Sequence, residues 1–268
     1  MDWFLFLITW GAAGITFLAL FFLIVYILVN GIPYIKPSLF AWNYNSENVS
    51  LMPAMVTTIA MVAAALIISV PLGLFTAIYL VEYAKRGSRL VKLVRITAET
   101  LSGIPSIVYG LFGLLFFVTW LGWGFSLLAG TFTISIMILP LIMRTAEESL
   151  KSVPDSYREG SFGLGAGRLR TVFRIVLPSA VPGILAGIIL AIGRIVGESA
   201  ALIYTAGTVA RIPKTMMNSG RTLAVHMYAL SSEGLYTGQA YATAVVLLVV
   251  VMGINALSAA LAKRITKG

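Results

Sequence analysis

Residues 153–183 read VPDSYREGSFGLGAGRLRTVFRIVLPSAVPG, a polar, glycine-punctuated island between apolar stretches. Pro154 suits a helix start, where its missing N–H would be unpaired in any case. Asp155 and Glu159 favour the same helix start through the macrodipole. Gly163, Gly165 and Gly167 then interrupt the helix, because glycine costs about 1 kcal/mol relative to alanine. A second short helix is expected from Arg168 to Leu177, stopped by Pro178. The island therefore predicts a helix–turn–helix. Tyr157, Phe162 and Leu164 are apolar side chains with no lipid to enter, and they suit a groove on a partner protein.

The flanks of the island set the fold class. Hydrophobic residues make up 59% of the 268-residue chain and charged residues 11%, whereas a soluble domain carries about 25% charged residues. Crossing about 30 Å of hydrocarbon takes about 20 apolar residues in a helix. Six segments qualify, roughly Phe4–Val29, Pro53–Val81, Ile104–Leu121, Phe125–Met143, Gly183–Ala206 and Ala240–Leu261. The first exceeds the about 7–15 apolar residues of a signal peptide and lacks a basic lead-in, so it is expected to be a span. The expected fold is an all-α membrane protein of six transmembrane helices with a cytoplasmic helix–turn–helix. No linker divides the chain. One domain is expected over 1–268, with a first span and outer connection over 1–52 and a core over 53–262 that includes the polar loop 144–182.

The net charge of +9 would raise nucleic acid as a partner of a soluble protein. Here the cations lie between spans and act as orientation signals, so a lipid bilayer and no nucleic acid is implied. Lys85, Arg86, Arg89, Lys92 and Arg95 follow the second span. Arg144, Lys151, Arg158, Arg168, Arg170 and Arg174 follow the fourth, and Lys263, Arg264 and Lys267 follow the sixth. Six spans put these groups on one side, which is then cytoplasmic, and place both termini there. The opposite side carries Lys36, Arg211, Lys214 and Arg221. The absence of cysteine excludes disulfides and thiolate metal sites.

Two charges remain inside the fifth span. Arg194 and Glu198 are four residues apart, so on a continuous helix they share a face and can pair. Each costs about 2.5–3.5 kcal/mol on insertion scales. A wheel of about 100° per residue places them on the face that carries Gly183, Gly187, Gly193 and Gly197, opposite an arc of isoleucine, leucine and valine. The glycines form two GxxxG pairs that permit close helix approach. One reading is an ion pair that only fixes packing. The other is a pathway site for an anion, with Arg194 as the attracting charge, whose planar fork matches a tetrahedral oxyanion, and Glu198 holding or gating it.

The polar island also carries a resemblance. The signature loop of ABC importer permeases runs Glu-Ala-Ala, three residues, Gly, nine residues, then Ile-x-Leu-Pro. This chain has Glu159-Gly160-Ser161, Gly165 and Ile175-Val176-Leu177-Pro178 at that spacing, departing at Gly160 and Ser161. The stretches Ile78–Ala84, Leu101–Gly110, Gly197–Ala201 and Thr222–Tyr228 are similar to segments of phosphate permeases of the PstA type. Ser199 and Ala201 stand where that family has Thr and Pro. The resemblance implies the ABC importer permease fold in a bacterial or archaeal inner membrane. It implies that the loop through Tyr157, Arg158, Glu159, Gly160, Ser161, Phe162, Gly165, Leu177 and Pro178 docks an ATPase. It also implies a PstC-like sister permease, a PstB-like ATPase dimer and a PstS-like extracytoplasmic phosphate-binding protein. Phosphate is the implied cargo. The candidate path residues are Arg194, Glu198 and Ser199 of the fifth span and Ser106, at a span start whose free backbone N–H groups would face the path. Sulfate, molybdate or a phosphonate is the alternative within the same architecture.

No catalytic, cofactor or metal site is expected. Gly163–Arg168 lacks the Lys-bearing pattern of a phosphate loop and follows no strand. His226, the single histidine, has no partner at metal spacing and reads as part of an amphipathic outer helix. An intramembrane enzyme would need a catalytic constellation in the spans, and an ion-coupled transporter would have no use for the docking loop.

Overall fold

A computed structural model describes residues 2–85 and 87–267. Arg86 lies outside the described residues, as do the side chains of Lys263, Arg264 and Lys267. The described chain is helical throughout its ordered elements. Helix α1 (Asp2–Gly31) is followed by two short 3₁₀ turns, then α2 (Met52–Ile78), which runs on through a π turn at Tyr79–Tyr83. Next come α3 (Arg89–Ser102) and α4 (Ser106–Gly113), the latter extended by a π turn to Trp120. Helices α5 (Leu127–Lys151), α6 (Asp155–Gly163), α7 (Arg168–Thr171) and α8 (Leu177–Val196) follow. The chain ends with α9 (Ala200–Ile203), α10 (Leu223–Glu233) and α11 (Thr237–Lys267).

Five of these helices are long and apolar enough to cross a membrane, and a sixth span exists only if α3 and α4 are taken as one pair bent by 101°. Where a basic loop is expected after the second span, α3 forms instead. Its Val91, Val94, Ala98 and Leu101 recur at helical spacing and pack on the core, a 3.6-residue period hidden among charges. Helix α5 likewise runs two turns past the expected span end at Met143, to Lys151.

Pro178 does not end a helix. Residues Arg168–Val196 form one continuous helical rod. The π turn at Val172–Val176 sets back the carbonyls that a proline ring strikes in a straight α-helix. The expected fifth span also differs at its far end. Helix α8 stops at Val196, and Gly197-Glu198-Ser199 separates it from α9.

Helices α2, α5 and α8 carry the core. Met61 and Ala65 of α2 meet Ile134, Ile138 and Ile142 of α5 and Ala191 and Ile195 of α8, all essentially inaccessible. A second cluster at the basic end joins Ala77, Ile78, Ala146, Leu150, Val172, Val176 and Ile184, and so roots α7 and α8 against α2 and α5. The branched arc of α8 thus faces the protein's own interior. Gly187 lets α8 approach α5: an added Cβ would overlap the side chain of Thr145, and one at Gly183 would overlap Ser149. By contrast α1 is exposed along its length, with Trp3, Phe17 and Phe22 each about two-thirds exposed or more, and rests on α11.

At the end opposite the basic residues, Thr222 caps α10 by accepting from the Val225 N–H, and Gly234 ends it in the left-handed region at φ 71°. Arg221 is buried there, with its guanidinium 4.7 Å from the Tyr44 ring centroid. His226 is fully buried against the same tyrosine. Burial, and then the Arg221 charge, push the His226 imidazole down from 6.5 to about 3. An unfolded chain binds a proton below 6.5 that the folded chain refuses, so this contribution to stability is intact above that value and is lost as pH falls toward 3.

Two outcomes follow from the packing. Gly187→Val should destabilise the detergent-solubilised protein by about 1–3 kcal/mol through overpacking against Thr145, read as a lowered midpoint in thermal or denaturant unfolding. His226→Phe should flatten the loss of melting temperature between neutral pH and pH 4, and an unchanged slope would contradict the burial of a neutral imidazole.

Candidate substrate pathway and coupling site

Two of the breaks between helices lie beside each other. Gly103-Ile104-Pro105 separates α3 from α4, and the Tyr109 hydroxyl spans that break by donating to Leu101 O at 2.8 Å. Gly110, one turn further on, rests on α9: an added Cβ would lie 2.9 Å from Ala201 Cα and 3.1 Å from Ala200 O. The segments 101–110 and 197–201, far apart in sequence, therefore form one unit. Ser106 opens α4 on its half-buried side.

The carboxylate and guanidinium in this unit do not pair. Glu198 is 8% exposed, and its Oε1 accepts from the Ala201 N–H at 3.0 Å, satisfying a free donor at the start of α9. Breaking the helix at Gly197 rotates Glu198 away from the face it would share with Arg194 on a continuous rod. Arg194 sits in the last turn of α8, where a cation complements the dipole. It is exposed and forms no ion pair among the described residues. Beside it Leu190 is 60% exposed, and a Cβ added at Gly193 would meet nothing within 4 Å. Gly197 would meet only its own helix, at Gly193 O. The four glycines thus divide: Gly183 and Gly187 pack within the chain, and Gly193 and Gly197 line an open face with Arg194. Ser199 instead borders a groove of about 570 Å3 with Ile27, Met227, Tyr228 and Tyr241.

The helix–turn–helix forms as expected up to α7. The turn depends on Gly165, whose φ of 82° is left-handed. Tyr157, Phe162 and Leu164 are exposed, Leu164 by 91%, as are Glu159 and Gly160. Ser161 is buried, and its hydroxyl lies 2.8 Å from that of Thr171, tying α6 to α7. This explains a polar residue at a position where alanine would only pack. Leu177 is half-buried and Pro178 exposed on the continuous rod. Arg158 faces inward and not toward the exposed tip, with its side chain 14% exposed.

Several charged residues were not legible as a site. Glu147 is buried and lies 2.6 Å from both Arg95 and Lys151. Glu82 pairs with Arg158 at 2.7 Å. The partners Arg95 and Arg158 lie tens of residues away in sequence, so spacing carries no signal for either pair.

Among proteins with similar sequences, the probable ABC transporter permease YqgI of Bacillus subtilis is 37% identical over 183 residues, covering 63% of this chain and 62% of its own length. The phosphate transport system permease protein PstA 1 of Mycobacterium tuberculosis is 40% identical over 154 residues, covering 58% of this chain and 49% of its own length. PstA of Mycobacterium leprae is 35% identical over 204 residues, covering 75% and 66%. The chain spans about half to two thirds of the length of these curated relatives. Among solved structures, a bacterial alginate ABC transporter in complex with its pentasaccharide-bound periplasmic protein matches with a TM-score of 0.72 at 18% identity, over 99% of this chain and 96% of that one. The inward-facing MetNI methionine ABC transporter matches with a TM-score of 0.62 at 19% identity, over 80% and 94%. A shared fold is what these two likenesses establish. The family model for inner membrane components of binding-protein-dependent transport systems matches residues 69–267, and the chain belongs to that family.

Proposed function

We propose that this chain is one permease half of an ATP-driven importer of inorganic phosphate. Arg194 lies on the pathway, and the exposed tip of α6 and α7 docks the ATPase that supplies the energy. The observation that carries the reading is the open face of α8, where an intramembrane arginine stands beside Gly193 and Gly197 without a carboxylate partner among the described residues. Such a group is costly in lipid and suits an oxyanion, to which guanidinium donates paired, charge-assisted hydrogen bonds. The similarity to permeases named for phosphate transport supports phosphate over other oxyanions.

One arginine does not neutralise a doubly charged anion. A sister permease closing over the same glycine-lined face would supply further positive charge and cover Arg194 from lipid. Glu198 then acts indirectly: by capping α9 it fixes the backbone that turns away from the pathway. The chain has no nucleotide site of its own on this reading, and ATP is hydrolysed by a pair of partner subunits. An extracytoplasmic binding protein delivers phosphate at the face of α10, and the basic end with both termini is cytoplasmic.

Arg194→Gln should reduce phosphate uptake by about tenfold or more, the scale of hydrogen bonds to a charged group, in membranes containing normal amounts of the chain. Unchanged uptake would remove Arg194 from the pathway. Replacing Phe162 and Leu164 together by Glu should prevent the ATPase subunit from co-purifying, because exposed apolar anchors carry most of a docking energy. Retention of the ATPase would place the docking surface elsewhere.

A further inference from the structure

Helix α6 turns its apolar side chains outward and one charged side chain inward. The Arg158 Nε and Nη2 donate to the same oxygen of Glu82, at 3.1 and 2.7 Å. The Arg158 Nη2 also donates to Leu150 O at 2.9 Å, and its Nη1 donates to Val153 O at 2.8 Å and to Asp155 Oδ1 at 3.2 Å. These acceptors belong to three elements: the π turn that ends α2, the end of α5 with the connection leaving it, and the first turn of α6. The Glu82 side chain is 8% exposed. Among the described residues this is the single ion pair between α6 and a spanning helix.

The surroundings make the pair the joint across a gap. Helix α6 otherwise packs on α7 and on the π turn at Val172–Val176. Between α6 and the end of α2 lies a cleft of about 520 Å3, bordered by Leu80, Lys85, Phe162 and Arg168 as well as by the pair itself. A planar guanidinium fork fixes direction as well as distance, which a lysine does not. We propose that Arg158 is a positioning residue that couples the docking helix to the second span. Displacement of α6 reaches α2 through the Glu82 carboxylate, and Leu150 and Val153 deliver the same displacement to α5. Because α2 and α5 share the core, the two moves are one rigid step.

This inference rests on the ATPase docking at α6. The experiment uses the whole importer, with sister permease, ATPase and binding protein, reconstituted in liposomes. Glu82→Gln keeps the shape and leaves Arg158 bonded to α5 and α6, and Arg158→Lys keeps the charge without the fork. ATPase retention and the number of ATP hydrolysed per phosphate imported are measured for each variant and for the double variant. The expected result is a retained ATPase with that ratio raised about tenfold, the scale of coupling between contacting residues, and a double variant no worse than either single one. A stabilising role alone would lower the yield of complex and leave the ratio unchanged, and that outcome overturns the proposal. An ATPase absent even from the wild-type complex would sink the docking reading, whereas a bound ATPase with an unchanged ratio sinks this joint alone.

Discussion

Hydrocarbon offers no partner to a backbone N–H or C=O, so a chain can leave helical structure at membrane depth only where protein covers the break. Two of the breaks between helices, at Gly103-Ile104-Pro105 and at Gly197-Glu198-Ser199, lie beside each other, and each is bridged by a side chain from its own neighbourhood. The Tyr109 hydroxyl reaches Leu101 O, and the Glu198 carboxylate takes the Ala201 N–H. Gly110 against Ala200 and Ala201 presses the two together. That joint unit places the last turn of α8, with Arg194, beside the broken helices, a setting in which membrane transporters hold charged cargo.

Charge is distributed to the same effect. At the basic end, the carboxylates of Glu82 and Glu147 are paired with Arg158 and Arg95 from other elements, and removing one partner of the enclosed Glu82–Arg158 pair costs about 3–5 kcal/mol. Those pairs tie α6 to the end of α2 and α3 to α5 beside the exposed tip of α6 and α7. Arg194 has no such partner among the described residues. A frame of paired charges at one end and this cation on an open face are what the proposed permease half requires, one end to receive movement and a site for a second chain to complete.

The spans, the helix–turn–helix and the charged positions were legible in the sequence because each is a local pattern: apolar length, glycine punctuation, a basic bias between segments. The relation between Arg194 and Glu198 was not. A four-residue spacing implies a shared face only on an unbroken helix, and whether Gly197 breaks it depends on α4 packing beneath α9. Pro178 misled for the converse reason, since a π turn before a proline removes the clash that normally ends a helix. Helix α3 was hidden by its own charges. Arg221, read from sequence only as a charge of the outer side, is buried on Tyr44, a contact with a residue far away in sequence.

The central claim is that an arginine on the open face of α8, without an ion-pair partner among the described residues, serves an inward path for phosphate. It is tested most directly by competition for uptake of radiolabelled phosphate into ATP-loaded vesicles carrying the complete importer. Excess unlabelled phosphate should abolish uptake, whereas sulfate, molybdate and a simple phosphonate should leave it nearly intact. Equal suppression by another oxyanion, or uptake that persists without ATP, would contradict the account.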